Sequence, residues 1–168
     1  MRNFIFAVSL FFINTVSTPV WAVSAFELPW MNASSQGSIN YKSADYQGAV
    51  WVVEAFFLGC PYCNDNAPRV NDLQNYFGND ERVQILDVGI DKGDSSYAEW
   101  IQRHQPNHPV LKDASRMLIR QLGTSTYPST YVIDHKLNVV FKSSGVWSAK
   151  TEQAIKDAVE KALLKIKN

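Results

Sequence analysis

The chain has 168 residues, of which 46% are hydrophobic and 19% are charged, a composition typical of an ordinary globular domain. Lys and Arg together number 16, as do Asp and Glu, so no basic surplus is present to neutralise phosphates and a nucleic-acid-binding function is disfavoured. There are only two cysteines, which excludes a small domain held by several disulfides and a four-cysteine zinc site.

Residues 1–25 have the pattern of a secretory signal peptide. Arg2 precedes a 13-residue, largely apolar stretch from Phe4 to Val16, and two small-residue patterns follow, which predict cleavage after Ala22 or Ala25. The apolar stretch is shorter than the about 20 residues that a membrane-spanning helix needs. We therefore expect export to a bacterial periplasm, and a mature chain 26–168 that forms one domain without a membrane span.

The mature chain is predicted to alternate strands and helices in the order β-α-β-α-α-β-β-α. After an irregular entry segment, Phe26 to Asp45, with one short strand at most, hydrophobic and turn patterns predict the following elements. They are a strand at Ala49–Phe57, a helix from Pro61 to about Phe77, a strand at Val83–Ile90, helices capped by Asp94 and Asp113, strands at Tyr131–Asp134 and Val139–Lys142, and a helix at Thr151–Lys167. This order predicts an α/β fold with a central mixed sheet and helices on both faces.

The two cysteines flank a Pro-Tyr dipeptide, Cys60-Pro61-Tyr62-Cys63, where a buried strand passes into a helix. Unpaired backbone N–H groups and the dipole of that helix favour an anion at its start, so we expect the pKa of the Cys60 thiol to fall below about 8.5. Pro61 supplies the backbone angle of a first helical residue. Cys63, one turn further on and further inside, can close a disulfide with Cys60, which predicts an exposed nucleophile and a resolving thiol.

Other functions of the same pair are open at this stage. The cysteines could bind zinc together with His104 and His108, or carry Cu(I) as soft thiolates in a periplasmic metal-binding protein. A purely structural disulfide would close too short a loop to stabilise the fold much. A noncatalytic partner-binding domain is a further alternative.

Glu54 is the only charged residue in the apolar run Ala49–Phe57, so its carboxyl is predicted to be buried with a raised pKa. It precedes Cys60 by six residues along the strand, from where it could take the proton that Cys63 must lose. The alternative is a structural acid paired with a lysine such as Lys142.

These residues resemble the thioredoxin superfamily over nearly the whole mature chain. The resemblance rests on the strand at Ala49–Phe57, the CxxC pair that follows it, Pro68 five residues after the second cysteine, and Thr126-Tyr127-Pro128 just before a later strand. The resemblance implies a thioredoxin fold in which Pro128 is a cis-proline facing the dithiol. It also implies that the backbone at Tyr127 pairs with a substrate peptide beside Cys60.

Within the superfamily, the extra helical insertion at Asp91 to Gln105 before the cis-proline is similar to exported TlpA/ResA-like thioredoxins. The segment from Glu54 to Pro61 is instead similar to the strand of periplasmic disulfide oxidases and isomerases, and the Pro-Tyr dipeptide is similar to that of glutaredoxins. The reductase, isomerase and oxidase directions therefore all stay open. The resemblance implies a periplasmic oxidoreductase that needs no cofactor or metal. Its partners would be protein thiols or disulfides and an upstream redox protein.

Four aromatic residues have expected places. Tyr62 lies between the cysteines at a helix start, where little core is available, so its ring is expected to face the substrate. Tyr97, Trp100 and Trp147 are expected to pack in the core.

Overall fold

A computed structural model describes residues 21–33, 39–78 and 80–166, so most of the predicted signal peptide, residues 1–20, lies outside the described part. The strands are β1 Trp21–Ala22, β2 Glu27–Pro29, β3 Asn40–Lys42, β4 Val50–Phe56, β5 Val83–Gly89, β6 Val110–Lys112, β7 Ser129–Ile133 and β8 Asn138–Ser144. The helices are α1 Pro61–Phe77, α2 Asp94–His104, α3 Met117–Gln121 and α4 Ala149–Leu163, with a short 3-10 turn at Ser43–Asp45.

The main sheet has six strands in the order β1-β8-β7-β4-β5-β6. β4 pairs in parallel with β5 and antiparallel with β7, and β5 pairs in parallel with β6. The sheet is therefore mixed, and helices cover both of its faces, as predicted. This is the thioredoxin fold.

β4 has seven residues, all buried, because the sheet is covered on both sides. Val50 and Val52 join a cluster with residues of α1 and α4, whereas Trp51, Val53 and Ala55 join a cluster with residues of α3 and the amino-terminal segment. Because both faces of β4 are buried, polar and apolar residues do not alternate along its sequence. Glu54 falls on the α1 and α4 side.

The entry segment differs from the prediction. Instead of one short strand at most, β2 and β3 form a two-stranded antiparallel sheet, and Phe26, Leu28 and Tyr41 are buried in the core. Trp30 forms a bridge with Leu111 of β6, and so this segment covers the edge of the main sheet. β2 and β3 have three residues each, which is too few for a clear alternation of apolar and polar residues, so the sequence does not predict a pair of strands here.

Both predicted helix caps are shifted, and β6 was not predicted. Asp94 is the first residue of α2, and Gly93 is the cap. Asp113 lies four residues before α3, yet its carboxylate accepts hydrogen bonds from the backbone N–H groups of Met117 and Ile119, at 2.7 and 3.0 Å. Asp113 thus stabilises the start of α3 without occupying the cap position.

The three aromatic residues assigned to the core are buried: Tyr97 and Trp100 on α2, and Trp147 before α4. In the described part of the chain, no helix has both the length and the apolar character needed to cross a membrane.

Leu73 provides a test of the packing between α1 and the sheet, because its side chain is fully buried among β4, β5 and α4 residues. We expect Leu73→Ala to lower the free energy of unfolding by about 3 kcal/mol through lost burial and a residual cavity. Urea denaturation of the oxidised protein measures this. Leu164→Ala, at a residue 87% exposed, is the matched control and should change it by less than about 0.5 kcal/mol.

Candidate active site

The two cysteines form a disulfide at the start of α1, with their Cα atoms 5.2 Å apart. Cys60 is the N-cap residue, in an extended conformation, and Pro61 is the first helical residue. The Sγ atom of Cys60 accepts a hydrogen bond of 3.1 Å from the backbone N–H of Cys63. The same N–H also lies 3.2 Å from the Cys60 carbonyl oxygen, so the helix start directs a shared backbone donor at this sulfur, as the position of the pair after a strand predicts.

The prediction of an exposed Cys60 is wrong for the disulfide form. Cys60 is 2% exposed and Cys63 is 3% exposed. Five partly buried apolar side chains pack on the cluster that holds them: Met31, Phe57, Leu58, Ile101 and Tyr127. The sequence around the cysteines could not show this packing, because it comes from four separate segments.

The loop before β7 contains a cis peptide bond between Tyr127 and Pro128, as the family resemblance implies. The Tyr127 ring stands edge-on to that of Phe57, with centroids 5.7 Å apart, which places the loop beside the residues that precede Cys60. Burial raises the pKa of the Tyr127 hydroxyl, so it is a neutral group. Tyr62 is 63% exposed, as expected for a residue between the cysteines.

Glu54 is buried at 3% exposure, as predicted. Its carboxyl accepts hydrogen bonds from the Asn66 amide at 2.7 Å and the Thr130 hydroxyl at 2.6 Å. Desolvation outweighs these bonds and raises its pKa to about 8. The alternative of a pair with Lys142 is wrong, because that ammonium group is bonded to the backbone oxygen of Gly123.

A closed ring of hydrogen bonds holds Glu54 in place. The indole N–H of Trp147 donates to the Thr130 hydroxyl, and the backbone N–H of Trp147 donates to the Asn66 side-chain oxygen. Asn66 lies one turn after Cys63 on α1, so the ring joins the dithiol helix to β4, β7 and the start of α4. Asn66 and Thr130 were not predicted as site residues. Their one sequence signal is polarity at positions where apolar residues are expected.

The two histidines of the zinc alternative lie in different environments. His104 contacts the side-chain oxygen of Asn64 at 2.8 Å, whereas Nε2 of His108 lies 2.9 Å from Oδ2 of Asp87. Within residues 21–33, 39–78 and 80–166, no group of three or more His, Cys, Asp or Glu side chains could hold a metal ion. Both histidines thus have partners other than the cysteine sulfurs.

Comparison with known proteins identifies similar chains. The model of the AhpC/TSA family matches residues 22–142, more than half of the chain. The structure of a thiol:disulfide interchange protein of the thioredoxin family from Chlorobium tepidum has a TM-score of 0.70 and 18% identity, covering 88% of this chain and 99% of that one. A secreted disulfide oxidoreductase of Mycobacterium tuberculosis has a TM-score of 0.64 and 14% identity, covering 81% and 95%.

A curated relative, NHL repeat-containing protein 2 of Gallus gallus, is 24% identical over 124 residues, or 71% of this chain. The match spans 17% of the length of that protein, so it concerns one part of a much longer chain.

Glu54 makes stability depend on pH in a defined direction. Its pKa in the folded protein, about 8, lies above the ordinary value of 4.5. The stability that this group contributes is therefore fully present below about pH 4.5 and is lost as the pH rises through about 8. We expect Glu54→Gln to flatten the fall in the free energy of unfolding between about pH 5 and pH 8.5. Urea denaturation of the oxidised protein at several pH values measures it, with Glu160→Gln on the surface as control; parallel profiles for wild type and Glu54→Gln would contradict it.

Proposed function

We propose that this chain is exported to the periplasm and exchanges disulfides with partner proteins there. It belongs to the AhpC/TSA family and is a thioredoxin-type thiol–disulfide oxidoreductase. The observation that carries the proposal is the Cys60–Cys63 disulfide at the start of α1, in one apolar cluster with Tyr127 of the cis-proline loop and on the helix whose Asn66 is hydrogen-bonded to the buried Glu54 carboxyl.

In the oxidising direction, a thiolate of the partner attacks Sγ of Cys60, and the bond between Cys60 and Cys63 breaks. Cys63 leaves as a thiolate and takes up a proton, while Cys60 is joined to the partner in a mixed disulfide. A second partner thiolate then attacks the partner's own sulfur in that bond and releases Cys60. The partner has lost two electrons to form its disulfide, and the pair Cys60 and Cys63 has gained them.

In the reducing direction the same bonds change in reverse, and Cys63 must lose its proton before it can displace the partner from Cys60. Glu54 is the group that we assign to this proton, since its pKa of about 8 leaves about a tenth of it ionised at pH 7 and makes that fraction a stronger base than an ordinary carboxylate. The proton can reside on Oε2, towards the Thr130 hydroxyl, because the Asn66 amide that faces Oε1 is only a donor.

The partner is held by backbone and apolar contacts in this proposal. An extended peptide pairs with the backbone of Tyr127, which precedes the cis-proline, because the carbonyl oxygen of Pro128 already accepts a hydrogen bond from the Gly145 N–H. Tyr62 and the apolar side chains of Phe57 and Leu58 supply contact area around Cys60. Electrons enter or leave through a second redox protein with its own dithiol, without an organic cofactor.

The trapping of a partner distinguishes the two cysteines. We expect Cys63→Ser to accumulate a mixed disulfide with a substrate protein that carries scrambled disulfides, because the Cys60 thiolate attacks a substrate disulfide, one substrate sulfur leaves as a thiolate, and the resolving thiol is missing. Cys60→Ser should form none and should lose insulin-reducing activity by a factor of at least about 100. Non-reducing electrophoresis with mass mapping of the linked cysteine measures both. Insulin reduction that survives in Cys60→Ser would overturn the proposed function.

The direction of exchange follows from the equilibrium of the pair with glutathione. A reduction potential near that of thioredoxin, about −270 mV, assigns the protein to reduction of partner disulfides, and a value near −120 mV assigns it to oxidation.

The proposed export predicts a particular mature amino terminus. Val23 is buried, and its backbone N–H donates to the carbonyl oxygen of Leu137, so cleavage after Ala25 would remove a core residue. Cleavage after Ala22 keeps both contacts. We therefore expect Val23 as the first residue of the protein recovered from the periplasm, measured by intact mass, and Ser24 or a later residue there would contradict this.

A further inference from the structure

A turn of four residues leads from the end of β4 to Cys60. The backbone N–H of Cys60 donates to the carbonyl oxygen of Phe57 at 3.1 Å, which closes the turn Phe57-Leu58-Gly59-Cys60. Cys60 then caps α1, and its Sγ atom accepts a hydrogen bond from the backbone N–H of Cys63. The position of the sulfur at the helix start therefore depends on how this turn is held.

Asp91 holds the turn from the neighbouring strand. β5 lies beside β4 in parallel, so both strands end at the same edge of the sheet, and Asp91 is the second residue after β5. Oδ2 of its carboxylate accepts a hydrogen bond of 2.8 Å from the backbone N–H of Leu58. The hydrogen bond that closes the turn does not use this N–H group. A carboxylate is a stronger acceptor for it than a neutral oxygen, because the acceptor is charged.

Tyr97 of α2 fixes the backbone of Asp91. Its side chain is buried, and its hydroxyl donates to the carbonyl oxygen of Asp91 at 3.3 Å. A Cβ atom on Gly89 would lie 2.5 Å from that hydroxyl, so the close approach of the tyrosine to the end of β5 requires glycine there. Burial raises the pKa of Tyr97, which keeps its hydroxyl a neutral donor. Asp91 is thus held by α2 and reaches from there to the turn before Cys60.

We propose that Asp91 is a positioning residue of the dithiol, because it fixes the turn before Cys60 and so keeps the Cys60 sulfur directed at the first backbone N–H groups of α1. A Cys60 thiolate is stabilised only while it stays aligned with those groups, so a loosened turn makes it a poorer anion and slows its attack. The hydrogen bonds of the turn involve no sulfur atom, and they therefore do not depend on whether the cysteines are oxidised. This inference rests on the proposed function, and Asp91 acts through the Leu58 N–H instead of on a substrate.

The other charged groups near Asp91 have separate roles. Lys112, at the end of β6, is paired with Asp94 at the start of α2. The Asp113 carboxylate accepts backbone N–H groups at the start of α3, and Lys92 is exposed. In the described part of the chain, no lysine, arginine or histidine lies within ion-pair distance of Asp91. Its hydrogen bond to the turn is therefore the contact that a substitution has to test.

Three substitutions separate this hydrogen bond from the charge. Asp91→Asn keeps an acceptor oxygen and loses the charge, Asp91→Glu keeps the charge and moves the acceptor by one methylene group, and Asp91→Ala loses both. We expect the rate constant for mixed-disulfide formation with a substrate that carries scrambled disulfides to fall about tenfold in Asp91→Ala and Asp91→Glu. In Asp91→Asn it should fall by less than about twofold, because the retained oxygen still accepts the Leu58 N–H.

Each variant is made together with Cys63→Ser, so that Cys60 is the one thiol in the chain. Non-reducing electrophoresis of quenched samples gives the rate constant over a range of pH. The ultraviolet absorbance of the thiolate gives the pKa of the Cys60 thiol, which should be higher in Asp91→Ala than in Asp91→Asn, although both lack the charge. Asp94→Ala, at a largely exposed acid three residues further on, is the matched control and should leave both quantities unchanged.

The outcomes separate this inference from the proposed function. Equal rate constants and equal thiol pKa values in Asp91→Ala and Asp91→Asn overturn the inference, and so does an Asp91→Glu variant that reacts as fast as Cys63→Ser alone. If Asp91→Ala does not fold, the other two variants still decide, because the inference requires Asp91→Glu to be slow and Asp91→Asn to be fast. The proposed function stands in each of these cases while Cys60 forms the mixed disulfide, and insulin reduction by Cys60→Ser bears on that function alone.

Discussion

The structure depends on the junction where β4, buried on both faces, ends and α1 begins. The strand runs through the core to Phe56, and the helix begins at Pro61, so Cys60 has to occupy the N-cap position. Its sulfur accepts a hydrogen bond from the backbone N–H of Cys63, a donor in the first turn of the helix that it shares with the Cys60 carbonyl oxygen. The redox pair is thereby part of the core framework, and the cis-proline loop and apolar cover are assembled around it.

Below this junction the sheet carries a row of polar side chains in place of apolar ones. Thr130, Glu54 and Asp87 lie at matching positions on three neighbouring strands, beneath the helix that begins with the dithiol. Glu54 and Thr130 are hydrogen-bonded to each other, because an isolated polar group in this dry region would cost several kcal/mol, and His108 lies 2.9 Å from Asp87. The groups that contact this row come from α1, from the segment before α4 and from the segment before β6, so the row links these elements.

Much of the site could be anticipated because its signals are local. The strand before Cys60 is apolar and the residue after it is proline, and these two facts predict the N-cap position that the structure has. The single charge in that strand, Glu54, predicts a buried acid, which the structure confirms. The partners of that acid are 12 and 76 residues away in sequence, and no local pattern indicates them.

The mixed α/β layout, the place of the dithiol at a helix start and the burial of Glu54 could all be predicted from the amino-acid sequence. They follow from hydrophobic periodicity and helix-end chemistry, which act over a few residues. The burial of Cys60 in the disulfide form, the packing of β2 and β3 on the core and the contact of His108 with Asp87 could be found only in the folded protein. Burial and long-range contacts depend on which distant segments the folded chain brings together, and no local pattern of residues specifies that.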